Sequence, residues 1–75
     1  MHHYQNRGGN SGVLGFMAGD TLIDVQFKGG IIYRYSYSSA GASAVEGMKQ
    51  LAASGIGLGS YISTNKPQYV SKWQG

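Results

Sequence analysis

Residues 21–37, "TLIDVQFKGGIIYRYSY", contain two alternating segments on either side of a double glycine. Apolar and polar residues alternate with the period of two that is typical of β-strands, so this stretch predicts an antiparallel hairpin. One face of the predicted hairpin carries Ile23, Val25, Phe27, Ile31, Tyr33, Tyr35 and Tyr37. The opposite face carries Leu22, Asp24, Gln26, Ile32, Arg34 and Ser36.

The length of the turn decides the register of this hairpin. A two-residue loop, Gly29-Gly30, would place apolar residues opposite charged or polar ones along the strands. A three-residue loop over 28–30 places Val25 opposite Tyr33 and pairs Asp24 with Arg34, so the apolar residues share a face. Gly30 supplies the left-handed conformation that such a loop needs. The sequence therefore predicts the second register.

The three tyrosines of this segment form either the inner face of a strand or a platform on which a ligand stacks. In the predicted register Tyr33 and Tyr35 face the core, with their hydroxyl groups at its edge. Tyr37 lies at the end of the strand, where both roles stay open.

The flanking segments extend this hairpin into a small α+β fold. Residues 13–18, "VLGFMA", predict a first strand, and residues 1–12 predict a flexible tail. Ser43 and Glu46 have the spacing of a capping box at the start of one main helix, which Gly55 ends. A short helical turn is predicted over 60–65, before Pro67.

We expect an antiparallel meander of three strands, with a fourth as an option, packed on that helix. The folded domain spans 13–66, and residues 67–75 form either an arm or an edge strand. This small core is filled by side chains, so a ligand has to bind on the surface or between subunits. Leu22 and Ile32 on the outer face, together with Trp73 as an interface residue, favour a homo-oligomer, a dimer or larger.

Composition narrows the classes of function. The 75-residue chain has a formal charge of +3, a pI of about 9.4, no cysteine and 13 glycines. The absence of cysteine fits a reducing compartment and excludes a thiolate metal site. No apolar run reaches the roughly 20 residues of a membrane span, so no membrane partner is expected. The six basic residues are scattered singly, which permits a polyanionic partner without indicating one.

Catalysis finds no support in the residue types. Asp20, Asp24 and Glu46 are the only acidic residues, and they do not form a carboxylate pair in the predicted fold. The only histidines, His2 and His3, lie in the predicted tail. No nucleophile with a base and no metal-ligand set can be assembled, so we expect a protein that is not an enzyme and needs no cofactor.

A glycine-rich loop at residues 55–60, "GIGLGS", is the strongest candidate for binding. It either connects two helices, so that Ile56 and Leu58 reach the core, or presents backbone N–H groups to a phosphate. In the second case the ligand-binding residues are Arg34, Gly57, Gly59, Ser60, Tyr61, Thr64, Asn65 and Lys66.

These motifs together resemble the KTSC domain family over about residues 11–66. The resemblance rests on Gly15-Phe16, on Ile23-x-Val25-x-Phe27, on Gly29-Gly30, on Tyr33-Arg34-Tyr35, on the Val45/Met48/Leu51 helix and on 53–61. Phe16 stands where the family usually has tyrosine, and "SSAGAS" at 38–43 replaces its usual proline. The family occurs at the C-terminus of some lysyl-tRNA synthetases and as free-standing small proteins of bacteria and phages. The resemblance thus implies RNA binding and a location in the cytoplasm of a bacterial cell or phage-infected host.

Two functions follow as hypotheses. In the first, the protein captures a phosphate-bearing small ligand, a (cyclic) nucleotide signal, and acts by sequestration at an oligomer interface. In the second, it is an RNA-binding module. Sparse basic residues favour the first, and so does a predicted outer sheet face without an aromatic residue on which RNA bases could stack.

Overall fold

Five strands form one antiparallel sheet in chain order in the computed structural model, which describes residues 1–7 and 12–75. The strands are β1 (His2–His3), β2 (Val13–Ala18), β3 (Leu22–Phe27), β4 (Ile31–Ser36) and β5 (Ser71–Gln74). Between β4 and β5 the chain forms α1 (Tyr37–Ala40), α2 (Ala42–Ser54) and α3 (Leu58–Asn65). The α+β class is confirmed, with five strands in place of the three or four expected.

The hairpin of β3 and β4 has the predicted register. Val25 lies opposite Tyr33, and Asp24 lies opposite Arg34. The amide of Gly30 donates to the carbonyl of Phe27 at 2.9 Å, which closes the predicted three-residue turn. Gly29 and Gly30 have φ values of 95° and 91°, so both positions of the turn need the freedom of glycine.

The core lies between α2 and the face of the sheet that carries Ile23, Val25 and Tyr35, which we call the inner face. Val45, Met48 and Ala52 recur at helical spacing on α2 and are buried there. Tyr35 is 3% exposed, as predicted for a core residue, whereas Tyr33 packs at the core's margin. Tyr37 is not a core residue, because it begins α1 and is exposed.

The N-terminal segment departs from the flexible tail predicted over 1–12. His2 and His3 pair with Phe16 and Gly15, which adds β1 to the sheet. Tyr4 is 1% exposed and belongs to the core. The amide of Arg7 donates to the carbonyl of Gly55, so the segment reaches the end of α2. The rest of the predicted tail includes residues 8–11, which lie outside the described residues.

The sequence predicted the C-terminal end of α2 correctly and its start incorrectly. Gly55 is left-handed (φ 80°) and ends the helix as predicted. The predicted capping box does not form, because α2 begins at Ala42 and Ser43 therefore lies inside the first turn. The carboxylate of Glu46 instead accepts hydrogen bonds from Tyr37 and Lys49.

The C-terminal residues form the edge strand β5, on which Trp73 lies opposite Ile32. The side of the sheet away from α2 is called the outer face. By strand alternation it is formed by Met17, Leu22, Asp24, Gln26, Ile32, Arg34, Ser36, Ser71 and Trp73. The prediction that this face lacks an aromatic residue is therefore wrong, because β5 contributes an indole ring.

Candidate functional site

The glycine loop turns the chain sharply between α2 and α3. Gly57 has φ of 89° and precedes the first residue of α3, Leu58, which is completely buried. The hydroxyl of Tyr4 accepts a hydrogen bond of 3.1 Å from the amide of Leu58. The loop thus serves the structural role considered for it, since it carries Leu58 into the core.

The same turn leaves hydrogen-bond donors at the start of α3. The amide of Tyr61 donates to the carbonyl of Gly57 at 2.9 Å, which closes the first turn of the helix. The amides of Gly59 and Ser60 make no hydrogen bond to another described residue. Free amides and the helix dipole give this end a partial positive charge, which suits an anionic group.

A cavity of about 480 Å³ opens beside this end of α3. It lies between the N-terminal segment, the end of β3 and the α2–α3 loop. Its lining consists of Tyr4, Asn6, Gly12, Phe27, Ile56, Gly57, Gly59, Ser60, Ile62, Ser63 and Thr64. The volume is within the range of small-molecule sites, roughly 300–1,000 Å³. We call this space the α3 cavity.

The α3 cavity combines hydroxyl groups with apolar side chains. Ser60, Ser63 and Thr64 can each donate or accept hydrogen bonds from one helix. Phe27 and the two isoleucines supply apolar surface. Among the described residues that line it, none is charged at neutral pH.

Half of the predicted ligand-binding residues meet in this cavity. Gly57, Gly59, Ser60 and Thr64 line it together. Three further predicted residues lie in α3 or directly after it and do not line the cavity. Tyr61 packs against the core, the side chain of Asn65 donates to the carbonyl of Tyr61, and Lys66 is the left-handed residue after the helix (φ 47°).

Arg34 lies elsewhere, on the outer face. Its Nε and Nη2 atoms donate to the two carboxylate oxygens of Asp24 at 2.8 and 3.0 Å. Its guanidinium carbon is 5.2 Å from the ring centre of Trp73. The hydrogen bond to Asp24 raises the pKa of Arg34 above its ordinary value. Arg34 therefore cannot reach a ligand in the α3 cavity without leaving these partners and the face on which it lies.

Several lining residues were missed by the sequence analysis. Tyr4 and Asn6 come from the segment predicted to be a tail, and Phe27 was assigned only to the core. Ser63 had a detectable signal, because it follows Ser60 by three positions and precedes Thr64, so helical spacing places all three on adjoining surface. No local pattern of residues 4–6 indicates that they contact α3.

A second cavity of about 340 Å³ lies at the β1 end of the sheet. Its lining includes His2, His3 and Phe16, and the rings of His2 and Phe16 are 5.6 Å apart. In the described part of the chain, no group of three or more His, Cys, Asp or Glu residues could hold a metal ion.

Comparisons with known proteins found no matching family model, no similar curated protein and no similar solved structure. The resemblance to the KTSC family stays a prediction. Within residues 1–7 and 12–75, no helix has the length and apolar character that crossing a membrane requires.

Proposed function

We propose that the protein is a non-catalytic binding protein for a small phosphate-bearing ligand, with a cyclic or linear nucleotide as the leading candidate. The observation that carries this proposal is the α3 cavity, which brings four predicted ligand-binding residues together beside two helix amides that have no partner in the described part of the chain. Its volume suits a compact ligand and excludes a long polymer from full enclosure.

The chemistry of the lining fits the two halves of a nucleotide. Phosphate oxygens accept hydrogen bonds from the amides of Gly59 and Ser60 and from the hydroxyls of Ser63 and Thr64. A base or sugar packs against the apolar side of the cavity, where Phe27 is the aromatic residue. Since no charged described residue lines the cavity, binding is expected to depend only modestly on salt.

A binding role without catalysis also agrees with the hydrogen-bond partners of the Asp24 and Glu46 carboxylates. Asp24 is paired with Arg34, and Glu46 accepts hydrogen bonds from Tyr37 and Lys49. Neither lines the α3 cavity. In the proposed function the protein binds the nucleotide without converting it and acts by sequestration, which lowers the free concentration of a signal.

The earlier hypothesis places capture at an oligomer interface, and the α3 cavity offers a site within one chain. The two versions differ in stoichiometry. Capture by a single chain gives one ligand per protomer, and capture by both subunits of a dimer at one shared site gives one ligand per two protomers.

Isothermal titration calorimetry with inorganic phosphate, a cyclic dinucleotide and a linear dinucleotide tests the proposal. The informative variant is Gly59→Val, which adds a branched side chain to the cavity wall. Gly47→Val is the matched control, because Gly47 is also helical and its added Cβ meets nothing within 4 Å. Saturable nucleotide binding that survives Gly47→Val and is lost in a folded Gly59→Val protein is expected. Normal binding by folded Gly59→Val would remove the α3 cavity from the function.

RNA binding is the second candidate, and Trp73 is the observation that favours it. Trp73 is 39% exposed beside Arg34 on a sheet face, where an RNA base could stack. Fluorescence titration with a single-stranded RNA at several salt concentrations distinguishes this candidate. Tight binding with a steep salt slope, without binding of either dinucleotide, would replace the first proposal with this one.

A further inference from the structure

The outer face of the sheet has apolar side chains and no helix on it among the described elements. Met17 is 47% exposed and Trp73 is 39% exposed, whereas Leu22 is half-buried and Ile32 is buried between their strands. The buried residues of α2 and α3 all belong to the core on the inner face. A monomer therefore leaves Met17 and Trp73 partly in water on this face.

The charge of this face decides which kind of partner it suits. The chain as a whole carries +3, so two copies repel each other unless their basic residues stay apart. The outer face carries one acidic and one basic residue, Asp24 and Arg34, and these neutralise each other. Its other members are uncharged.

A polyanion is a poor partner for such a surface. Single-stranded nucleic acids bind grooves that combine aromatic residues with several positive charges. The outer face offers Trp73 and a guanidinium that Asp24 already neutralises. A second copy of the chain meets no net repulsion there.

We infer that the outer face is a self-association surface, on which a second copy of this chain seats its own outer face about a twofold axis. In such an arrangement each residue of the patch meets the same patch on the other copy. Arg34 has three N–H groups beyond the two bonded to Asp24, and these can donate across the axis to polar groups of the partner's outer face.

The size of the face sets the strength of the contact. Four strands of four to six residues, β2 to β5, form it. Strands about 4.8 Å apart that rise about 3.3 Å per residue give a face of about 15 Å by about 20 Å. A contact this small belongs with weak interfaces, which bury less than about 1,200 Å² in total. We therefore expect a reversible dimer that dissociates on dilution.

This inference does not depend on the proposed ligand. The α3 cavity is lined by α3 residues and by Tyr4 of the core, on the other side of the sheet. Loss of the dimer should leave ligand binding by a single chain intact, so failure of either proposal is visible separately.

Sedimentation equilibrium of the full chain from micromolar to submillimolar concentration tests the inference. The wild-type mass should rise with concentration from 8.0 kDa toward twice that value. Met17→Lys places a charge on each side of the axis and should raise the dimer dissociation constant by at least about tenfold. Ile56→Lys is the matched control, because Ile56 is 50% exposed but lies in the α2–α3 loop. Its dimer should persist.

Three outcomes would overturn the inference. One is a monomer at every concentration. Another is a dimer that Met17→Lys leaves intact while circular dichroism shows a folded protein, because the interface would then lie elsewhere. The third is a wild-type monomer that binds a single-stranded RNA and loses it on Met17→Lys substitution, which would assign the outer face to RNA.

Discussion

Tyr4 and Leu58 are 54 positions apart in the chain, and the buried hydroxyl of Tyr4 accepts a hydrogen bond of 3.1 Å from the amide of Leu58. The contact joins the N-terminal segment to the first residue of α3. It also occupies the first free amide of that helix, so the next two amides are the ones left beside the α3 cavity. Tyr4 therefore has a structural role at the wall of the candidate site.

Replacing Tyr4 with Phe keeps the ring and removes the hydroxyl. The amide of Leu58 then loses its partner in a buried position, which costs about 1–3 kcal/mol of unfolding free energy. For a domain of this size, each kcal/mol lowers Tm by about 4–8 °C. Urea titration followed by circular dichroism measures the change, with His3→Ala as an exposed control from the same segment. Equal stability of Tyr4→Phe and the wild type would show that the hydrogen bond contributes nothing.

The importance of Tyr4 could not be predicted from the sequence. It is a single aromatic residue in a polar, glycine-rich stretch, and one apolar position carries no periodicity. The register of β3 and β4 was predictable for the opposite reason. Six apolar residues alternate around a turn of fixed length, and a shift by one residue would have exposed them all.

Tyr35 is the core tyrosine, and its truncation should be severe. Tyr35→Ala removes a side chain that is 3% exposed and packs beneath α2. The loss should be about 3–5 kcal/mol, as for other large aromatic truncations in cores. Tyr37→Ala is the comparison, since Tyr37 is 37% exposed and should be much less sensitive. A Tyr35→Ala protein with unchanged Tm would contradict the core assignment and reopen the ligand-stacking role.

Stability should also fall at high pH through Tyr35. Burial raises the pKa of Tyr35 from 10.0 to about 12, with Tyr33 and Tyr69 adding to the shift. A pKa raised by folding means that the neutral form is favoured in the folded protein. The contribution is therefore complete below pH 10 and is lost as pH rises toward 12.

The measurement for this effect is a difference between two proteins. Unfolding free energies of the wild type and of Tyr35→Phe are determined from pH 8 to 12. The wild type should lose more stability than Tyr35→Phe above pH 10, because the variant lacks the titrating group. Parallel curves would mean that Tyr35 ionises equally well in both states.

The Asp24–Arg34 pair should be more costly to break than to replace. Asp24 is 4% exposed and accepts both hydrogen bonds of Arg34. Arg34→Met alone leaves a buried carboxylate without its charged partner, which should cost about 1–3 kcal/mol. The double variant Arg34→Met/Asp24→Leu removes both charges and should recover much of that loss. A double-mutant cycle by urea unfolding measures the coupling, and strictly additive losses would count against the pair.

The candidate site was predicted only where a local motif existed. The "GIGLGS" loop indicated Gly57, Gly59 and Ser60, because glycine spacing is visible in one stretch. Arg34 was included as a phosphate-binding residue of the open sheet face, and the same alternation that pairs it with Asp24 places it away from the loop. The cavity itself forms where residues 4–6 and Phe27 meet α3, and chain segments that are far apart leave no joint signal in the sequence.

The two loop glycines should respond differently to substitution. Gly57 has φ of 89°, a conformation that a β-branched residue adopts only with strain, so Gly57→Val should destabilise the protein by roughly 1–3 kcal/mol. Gly57→Val therefore reports on folding and not on ligand binding alone. Gly57→Asn is the matched control, because Asn tolerates the left-handed region, and it should retain most of the stability.

Gly59 is helical, without a positive φ, so Gly59→Val should stay folded and lose only ligand binding. Thermal unfolding of the three variants, followed by calorimetric titration of those that fold, separates the two roles. Equal stability of Gly57→Val and Gly57→Asn would show that backbone strain at this turn does not restrict which residue can occupy position 57.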